Sequence, residues 1–295
     1  MPVAPVNVLL ISPGPPEEFL QPLAELRQVA EVFECQTPSG AAEYLRQVDS
    51  PPVLIVIAHS RPGEYDPAEI DQLVRLAPLA RFVLLLGSWC EGETRTGHVW
   101  AGATRVFWYD WQGEVVRNLP AISAGRNAPW LAPVTTLEEE RYLFDSRASS
   151  HAPSHVAASL TDPNQGFKSL ILVCTRRSSY GEALCVACRQ QGYEAHWQRP
   201  DRPEKIQGVE AIIWEGIQLL PAELAELEAL AACWPNTPII ALADFPRLET
   251  HQRALAAGAV AVLAKPYSLA DLLSQLERWA PLPLFVGKTV TAEVA

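Results

Sequence analysis

The fold of this chain is decided by residues 221–279, PAELAELEALAACWPNTPIIALADFPRLETHQRALAAGAVAVLAKPYSLADLLSQLERW. Helices are predicted at 221–232, 246–257 and 268–279, and the apolar runs between them predict strands at 239–242 and 261–263. Short strands of apolar and small residues that alternate with amphipathic helices are typical of a parallel sheet covered on both faces.

The same alternation fills the rest of the chain. In the second half it adds strands at 170–174, 194–198 and 211–214 and a helix at 181–191. In the first half it predicts strands at 6–12, 31–35, 53–58, 82–86 and 105–109, and helices at 17–29, 40–48 and 67–77. We therefore predict an α/β protein with two doubly wound, five-stranded parallel-sheet domains of the flavodoxin type in tandem.

The two halves also resemble each other in sequence. PAEIDQLVRLAPLA, which begins at Pro67, matches PAELAELEALAACW, which begins at Pro221. A glycine-led strand follows each after a similar interval, at Gly102 and at Gly258. This order of landmarks indicates an internal duplication.

The stretch between the halves has a different composition. Residues 149–166, SSHAPSHVAASLTDPNQG, are small, polar and broken by prolines, which predicts a flexible linker. A capping-box pattern at Thr135 or Thr136 predicts a short helix just before it. The predicted limits are a domain at 1–125, a linker with that helix at 126–166, a domain at 167–281 and a tail at 282–295.

Composition narrows the classes of function. The formal net charge of −11 over 295 residues argues against a nucleic-acid partner. No apolar run approaches the roughly 20 residues that cross a bilayer, and the amino terminus lacks the basic start of a signal peptide, so a cytoplasmic protein without a membrane partner is expected. Cys185 and Cys188 form a C-x-x-C pair on one face of a predicted helix, which favours two buried structural thiols over a metal or redox pair.

The segment GAVAVLAKPYSLADLLSQLER, residues 258–278, resembles the end of the receiver domain of response regulators. In that family the fifth strand follows Gly-Ala, ends in Lys-Pro and leads into an amphipathic helix, and Lys265 falls on the family's lysine. The resemblance covers about 167–280. It implies a phosphorylation pocket made of two acids after strand one, an Asp after strand three, a Thr or Ser after strand four, and the lysine.

The chain departs from that pocket at nearly every position. After strand one it has Arg176 and Arg177 instead of acids, and guanidinium groups would repel Mg²⁺. The degenerate pocket therefore consists of Thr175, Arg176, Glu215, Ala243 and Lys265. Two interpretations of Glu215, at the acceptor position, stay open: an ion pair with Lys265 or Arg176 that imitates a phosphorylated state, or a solvated loop acid.

The first half departs further. Its third strand ends in Ala58 and His59 where the family has Asp. Tyr109 takes the position that Lys265 has in the second half, and Ser88 is the only hydroxyl candidate after strand four. His59 lacks an assignable nucleophile or partner acid, so a hydrogen-bonded structural histidine is favoured over a general base.

A tryptophan-rich segment, GSWCEGETRTGHVWAGATRVFWYDW at 87–111, lies where such sheets bind ligands. One hypothesis is a pocket or partner surface, and the other is that the tryptophans fill the core or a contact between domains. The residues of the candidate binding surface are His59, Ser88, Trp89, Arg95, Trp100 and Tyr109. Trp108 is expected in the core, while Trp89 and Trp100 favour the surface.

These observations favour a non-enzymatic signalling or scaffold protein of two pseudo-receivers, with no catalytic residue, metal or cofactor. The resemblance implies protein partners, such as a histidine kinase or another signalling component, and a homodimer is left open. One alternative is a small-ligand-binding protein or enzyme with its site in the cleft between two similar α/β domains. A DNA-binding response regulator is disfavoured by the acidic charge and by the lack of a helix-turn-helix segment after Trp279.

Overall fold

The computed structural model describes residues 5–93, 100, 102–133, 135–136, 169–202 and 204–282. The chain divides into two compact units; the strands between residues 6 and 107 belong to the first unit and those between residues 170 and 244 to the second. The predicted linker at 149–166 and the predicted helix after Thr136 lie outside the described residues, and the predicted domain limits remain predictions.

The first sheet has five parallel strands in the order β2-β1-β3-β4-β5. Its strands are β1 (Val6–Ile11), β2 (Ala30–Cys35), β3 (Leu54–His59), β4 (Arg81–Leu86) and β5 (Thr104–Phe107). The helices are α1 (Glu17–Val29), α2 (Pro38–Gln47), α3 (Pro67–Leu76) and α4 (Trp111–Ser123), with 3-10 turns at Ser88–Cys90 and Pro129–Leu131. This strand order is that of the flavodoxin-like fold.

The second sheet repeats that order. It runs β10-β9-β8-β6-β7, which is 2-1-3-4-5 when its strands are counted from the first one. Its strands are β6 (Leu170–Cys174), β7 (Glu194–Gln198), β8 (Val209–Glu215), β9 (Ile239–Asp244) and β10 (Ala259–Lys265). Its helices are α5 (Ser178–Gln190), α6 (Pro221–Cys233), α7 (Leu248–Ala256) and α8 (Leu269–Trp279). The predicted fold class is therefore confirmed, and the shared strand order agrees with an internal duplication.

The apolar strands explain why the sheet has helices on both faces. Every residue of β3 is buried, and successive residues of a strand point to opposite faces. Ile55 and Ile57 belong to one core cluster, whereas Leu54 and Val56 belong to another on the opposite face. A strand with apolar residues at every position is stable only when both of its faces are covered.

The observed elements differ from the predicted ones mainly at their ends. The predicted strand at 105–109 ends at Phe107, so Trp108 and Tyr109 follow it. Helix α4 was not predicted, because Gly113 and Pro120 weaken the helical signal of its sequence, WQGEVVRNLPAIS. In the part of the chain that the structure describes, no helix is long and apolar enough to span a membrane.

Candidate functional site

The candidate site of the first unit lies at the carboxyl ends of β3 and β4. Ligands of doubly wound sheets bind at this edge, near the point where the strand order reverses. Strand β3 ends at His59, and the turn Ser88–Cys90 follows β4 after Gly87. A Cβ on Gly87 would lie 2.8 Å from the Ser60 carbonyl oxygen and 2.4 Å from Glu18 Oε1, so the close approach of these segments requires glycine.

His59 is buried and lies at the centre of a charged cluster. Its Nε2 is 3.0 Å from Glu93 Oε1, and its Nδ1 is 3.8 Å from Glu64 Oε2. Arg105 Nη1 donates to Glu93 Oε2 at 3.1 Å, and the Cys90 thiol donates to the His59 carbonyl oxygen at 3.4 Å. The side chains of Arg105 and Glu93 are each only 6% exposed, so this ion pair is buried.

Aromatic rings close one side of this cluster. The Tyr65 hydroxyl donates to the Ala58 carbonyl oxygen at 2.7 Å, and burial raises the pKa of Tyr65. The Trp100 ring centroid lies 5.1 Å from that of His59 and 6.1 Å from that of Tyr65. Burial also raises the pKa of the Cys90 thiol to about 12, with the Glu93 carboxylate adding to the shift. The thiol is therefore protonated when nothing else binds to it.

Ser88 belongs to a second polar group at the same edge. Its hydroxyl donates to Glu18 Oε2 at 2.8 Å and accepts from Trp108 Nε1 at 3.0 Å. Glu18, in the first turn of α1, also accepts from the Ser88 backbone N–H at 3.3 Å. Ser88 thus has a structural role here, because it links a buried tryptophan to the start of a helix.

The three tryptophans singled out in the sequence have different environments. Trp89 is 80% exposed, whereas Trp108 is 6% exposed and belongs to the core, as expected. Trp100 is partly buried and packs against a core cluster. Tyr109 stacks on Phe107 with ring centroids 5.4 Å apart. Arg95 lies outside the described residues. Among the described aromatic residues of the predicted surface, Trp89 is the one that is strongly exposed.

In the second unit, Glu215 is the last residue of β8, the position that the sequence resemblance assigns to the phosphoryl acceptor. Its side chain is only 4% exposed, so the interpretation as a solvated loop acid is wrong. Arg177 donates to its carboxylate, and this hydrogen bond raises the pKa of Arg177. The Arg177 guanidinium also lies 5.0 Å from the centroid of the Tyr180 ring. The partners predicted for Glu215 from the sequence were Arg176 or Lys265, and not Arg177.

The neighbouring residues of that pocket have structural contacts. Arg176 pairs with Glu226 of α6 instead of with Glu215. The Thr175 hydroxyl donates to the Arg177 carbonyl oxygen at 2.9 Å, and Trp197 Nε1 lies 3.2 Å from the same hydroxyl. Ala243 is buried within β9, and Lys265 is the last residue of β10.

Several residues of both sites were not predicted. Glu64, Glu93 and Arg105 are separated widely in sequence and meet only in the fold. One signal pointed towards Glu64 and Glu93: the carboxyl ends of adjacent parallel strands meet, so polar residues after β3 and β4 come together. Arg105 lies within β5, and that signal does not indicate it. For Cys185 and Cys188, the predicted burial is confirmed.

Comparisons with known proteins find matches among solved structures. No protein-family model and no curated protein matches the chain. The chemotaxis protein CheY4 of Vibrio cholerae is 21% identical, with a TM-score of 0.34 over 38% of this chain and 99% of that chain. A putative pilus assembly-related protein from Burkholderia pseudomallei is 24% identical, with a TM-score of 0.34 over 39% of this chain and 92% of that chain. A CheY-like response regulator receiver domain protein from Methanospirillum hungatei is 19% identical, with a TM-score of 0.34 over 38% of this chain and 93% of that chain. The strand order, and not these scores, carries the fold assignment.

Proposed function

We propose that this chain is a signalling or scaffold protein made of two pseudo-receiver domains, which acts through protein–protein contacts and is not phosphorylated in the usual way. The observation that carries this proposal is the ion pair between Arg177 and the buried Glu215. A guanidinium group thus lies against the carboxylate at the position where a receiver accepts its phosphoryl group.

The requirements of phosphoryl transfer also argue against phosphorylation of this chain. Transfer to a carboxylate needs a divalent cation to neutralise the developing charge. Carboxylates are the preferred protein ligands of Mg²⁺, and the residues that follow β6 are Thr175, Arg176 and Arg177. In the first unit, Ala58 and His59 replace the acceptor, and His59 lies within 3.0 Å of Glu93.

The exposed indole of Trp89 supports the interaction role. Tryptophan is enriched among the residues that dominate binding energy at interfaces, and an 80% exposed tryptophan loses little of its apolar area to the fold. It is placed at the sheet edge that carries ligand sites in this fold class.

The phosphorylation part of the proposal is tested by intact mass after incubation with acetyl phosphate and Mg²⁺. A phosphorylatable receiver protein treated in parallel serves as the positive control. We expect the control to gain a phosphoryl group and this chain to stay unmodified. A hydroxylamine-labile phosphoryl adduct on this chain, lost in Glu215→Gln, would refute the proposal.

The interaction part is tested with Trp89→Ala in capture and cross-linking experiments on lysate of the source cell. Leu79→Ala is the matched control, because Leu79 is 89% exposed but lies just before β4, at the opposite edge of the sheet. We expect Trp89→Ala to lose a partner that the wild type and Leu79→Ala retain. Equal capture by all three proteins would contradict a role for Trp89.

A further inference from the structure

Three side chains that can bind a metal ion lie close together at the carboxyl end of β3. His59, Cys90 and Glu93 are all buried, and one potential ligand atom from each lies within 4.8 Å of the other two. The three side chains come from two separate places in the sequence, the end of β3 and residues 90–93, which follow β4. Imidazole nitrogen, thiolate sulfur and carboxylate oxygen are the three donor types that bind zinc in proteins.

We propose that His59, Cys90 and Glu93 form a binding site for a borderline-soft divalent cation, with Zn²⁺ as the natural occupant. Magnesium and calcium prefer oxygen ligands only, so a sulfur and a nitrogen donor select against them. Three protein ligands are the number found in open zinc sites, where a water molecule takes the fourth position. The site is independent of the proposed interaction role and does not require it.

The groups around the three ligands are arranged as an outer shell. Zinc-bound histidines usually direct the other ring nitrogen towards a carboxylate, which fixes the orientation of the ring. Here His59 Nε2 faces Glu93 while His59 Nδ1 is 3.8 Å from Glu64 Oε2. That Nδ1 is buried and has no hydrogen-bond partner among the described residues, so Glu64 must move closer to accept from it when zinc binds. Glu64 is itself held by Ser60, whose backbone N–H donates to Glu64 Oε2 at 2.6 Å.

Arg105 completes this outer shell. It donates to Glu93 Oε2 and so leaves Oε1, the oxygen on the His59 side, to act as a ligand. The formal charges of the loaded site sum to zero: +2 from Zn²⁺ and +1 from Arg105 are offset by the Cys90 thiolate and the carboxylates of Glu93 and Glu64. Metal binding releases the thiol proton of Cys90, so the affinity should fall as the pH falls.

The proposal is tested on the full chain stripped of metal and titrated with Co²⁺, which reports its ligands in the absorption spectrum. We expect one equivalent of Co²⁺ to give a thiolate-to-metal charge-transfer band that one equivalent of Zn²⁺ removes. Cys90→Ser should abolish the band, while Cys188→Ser, which changes a buried thiol of α5, and Cys233→Ser, which changes an exposed one, should keep it. Glu64→Gln should weaken zinc binding by roughly 10- to 100-fold, as loss of an outer-shell partner does.

A measurement on the wild type avoids any dependence on how the variants fold. X-ray absorption of the zinc-loaded chain should show one sulfur at about 2.3 Å together with nitrogen and oxygen ligands. Absence of stoichiometric binding, a first shell without sulfur, or a charge-transfer band that persists in Cys90→Ser would overturn the proposal. Loss of the band in Cys233→Ser would assign the metal to that exposed thiol instead and would equally overturn it.

Discussion

The ion pair between Arg105 and Glu93 is buried, so removing one of its two charges should destabilise the fold much more than removing both. The pair is 3.1 Å long and both side chains are 6% exposed, and Glu93 also faces His59. Glu93→Gln keeps the shape of the side chain but removes its charge, which leaves the guanidinium buried without its counter-charge. Removing one partner of a buried pair costs about 3–5 kcal/mol. Because the Gln amide oxygen can still accept a hydrogen bond from Arg105, we expect the free energy of unfolding to fall by somewhat less, roughly 2–4 kcal/mol.

An exposed ion pair in the same unit provides the control. Arg27 and Glu34 are 2.6 Å apart, but their side chains are 43% and 44% exposed. Water screens such pairs, so Glu34→Gln should cost no more than about 1 kcal/mol. The double variant Glu93→Leu with Arg105→Met removes both buried charges together, and it should recover most of the stability lost in Glu93→Gln.

The assay is urea unfolding followed by tryptophan fluorescence and circular dichroism, with EDTA present so that no metal contributes. Two transitions are expected if the two units unfold separately. Glu34 and Glu93 both lie in the first unit, so the transition that both variants shift belongs to that unit. The reasoning is refuted if Glu93→Gln costs no more than Glu34→Gln, or if the double variant is no more stable than Glu93→Gln.

Three further predictions concern individual side chains. Trp108→Ala should lower the free energy of unfolding by about 3–5 kcal/mol, because it leaves a cavity in the core. Trp89→Ala should change it by less than about 0.5 kcal/mol, and equal shifts of the melting temperature in the two variants would contradict this. Gly87→Ala should cost about 1–3 kcal/mol because its Cβ collides with backbone, and an unchanged unfolding midpoint would show that the segments can separate. Burial lowers the pKa of His251 to about 4, so the unfolded chain binds more protons between pH 6.5 and 4. Stability should therefore fall by about 1–3 kcal/mol as the pH drops through that window, and a parallel pH profile for His251→Gln would disprove the role of this histidine.

The fold was largely predictable because its strands are apolar at almost every position. Runs such as Leu54–His59 have few alternatives to a covered parallel strand, and the spacing of Pro67 and Pro221 from their glycine-led strands indicated the repeat. Helix α4 escaped prediction since its packing, with Trp111 buried in the core, outweighs the low propensity of its glycine and proline.

The candidate sites were harder to predict than the fold. Arg176 and Arg177 are adjacent, and only the path of the loop after β6 decides which of them turns towards Glu215. Similarly, Glu93 lies three residues beyond the turn Ser88–Cys90, and no pattern in the sequence indicates that its side chain reaches His59. Position in the sequence indicated which strand ends matter, but it did not determine which side chains meet there.

The most direct test of the central claim uses fluorine NMR of the chain with beryllofluoride and Mg²⁺. Beryllofluoride binds an acceptor carboxylate in place of a phosphoryl group when the metal ligands are present. With Arg177 against Glu215 in the second unit and His59 at the corresponding position of the first, we expect only the signals of free beryllofluoride. Protein-bound fluorine signals that depend on Mg²⁺ and disappear in Glu215→Ala would contradict it.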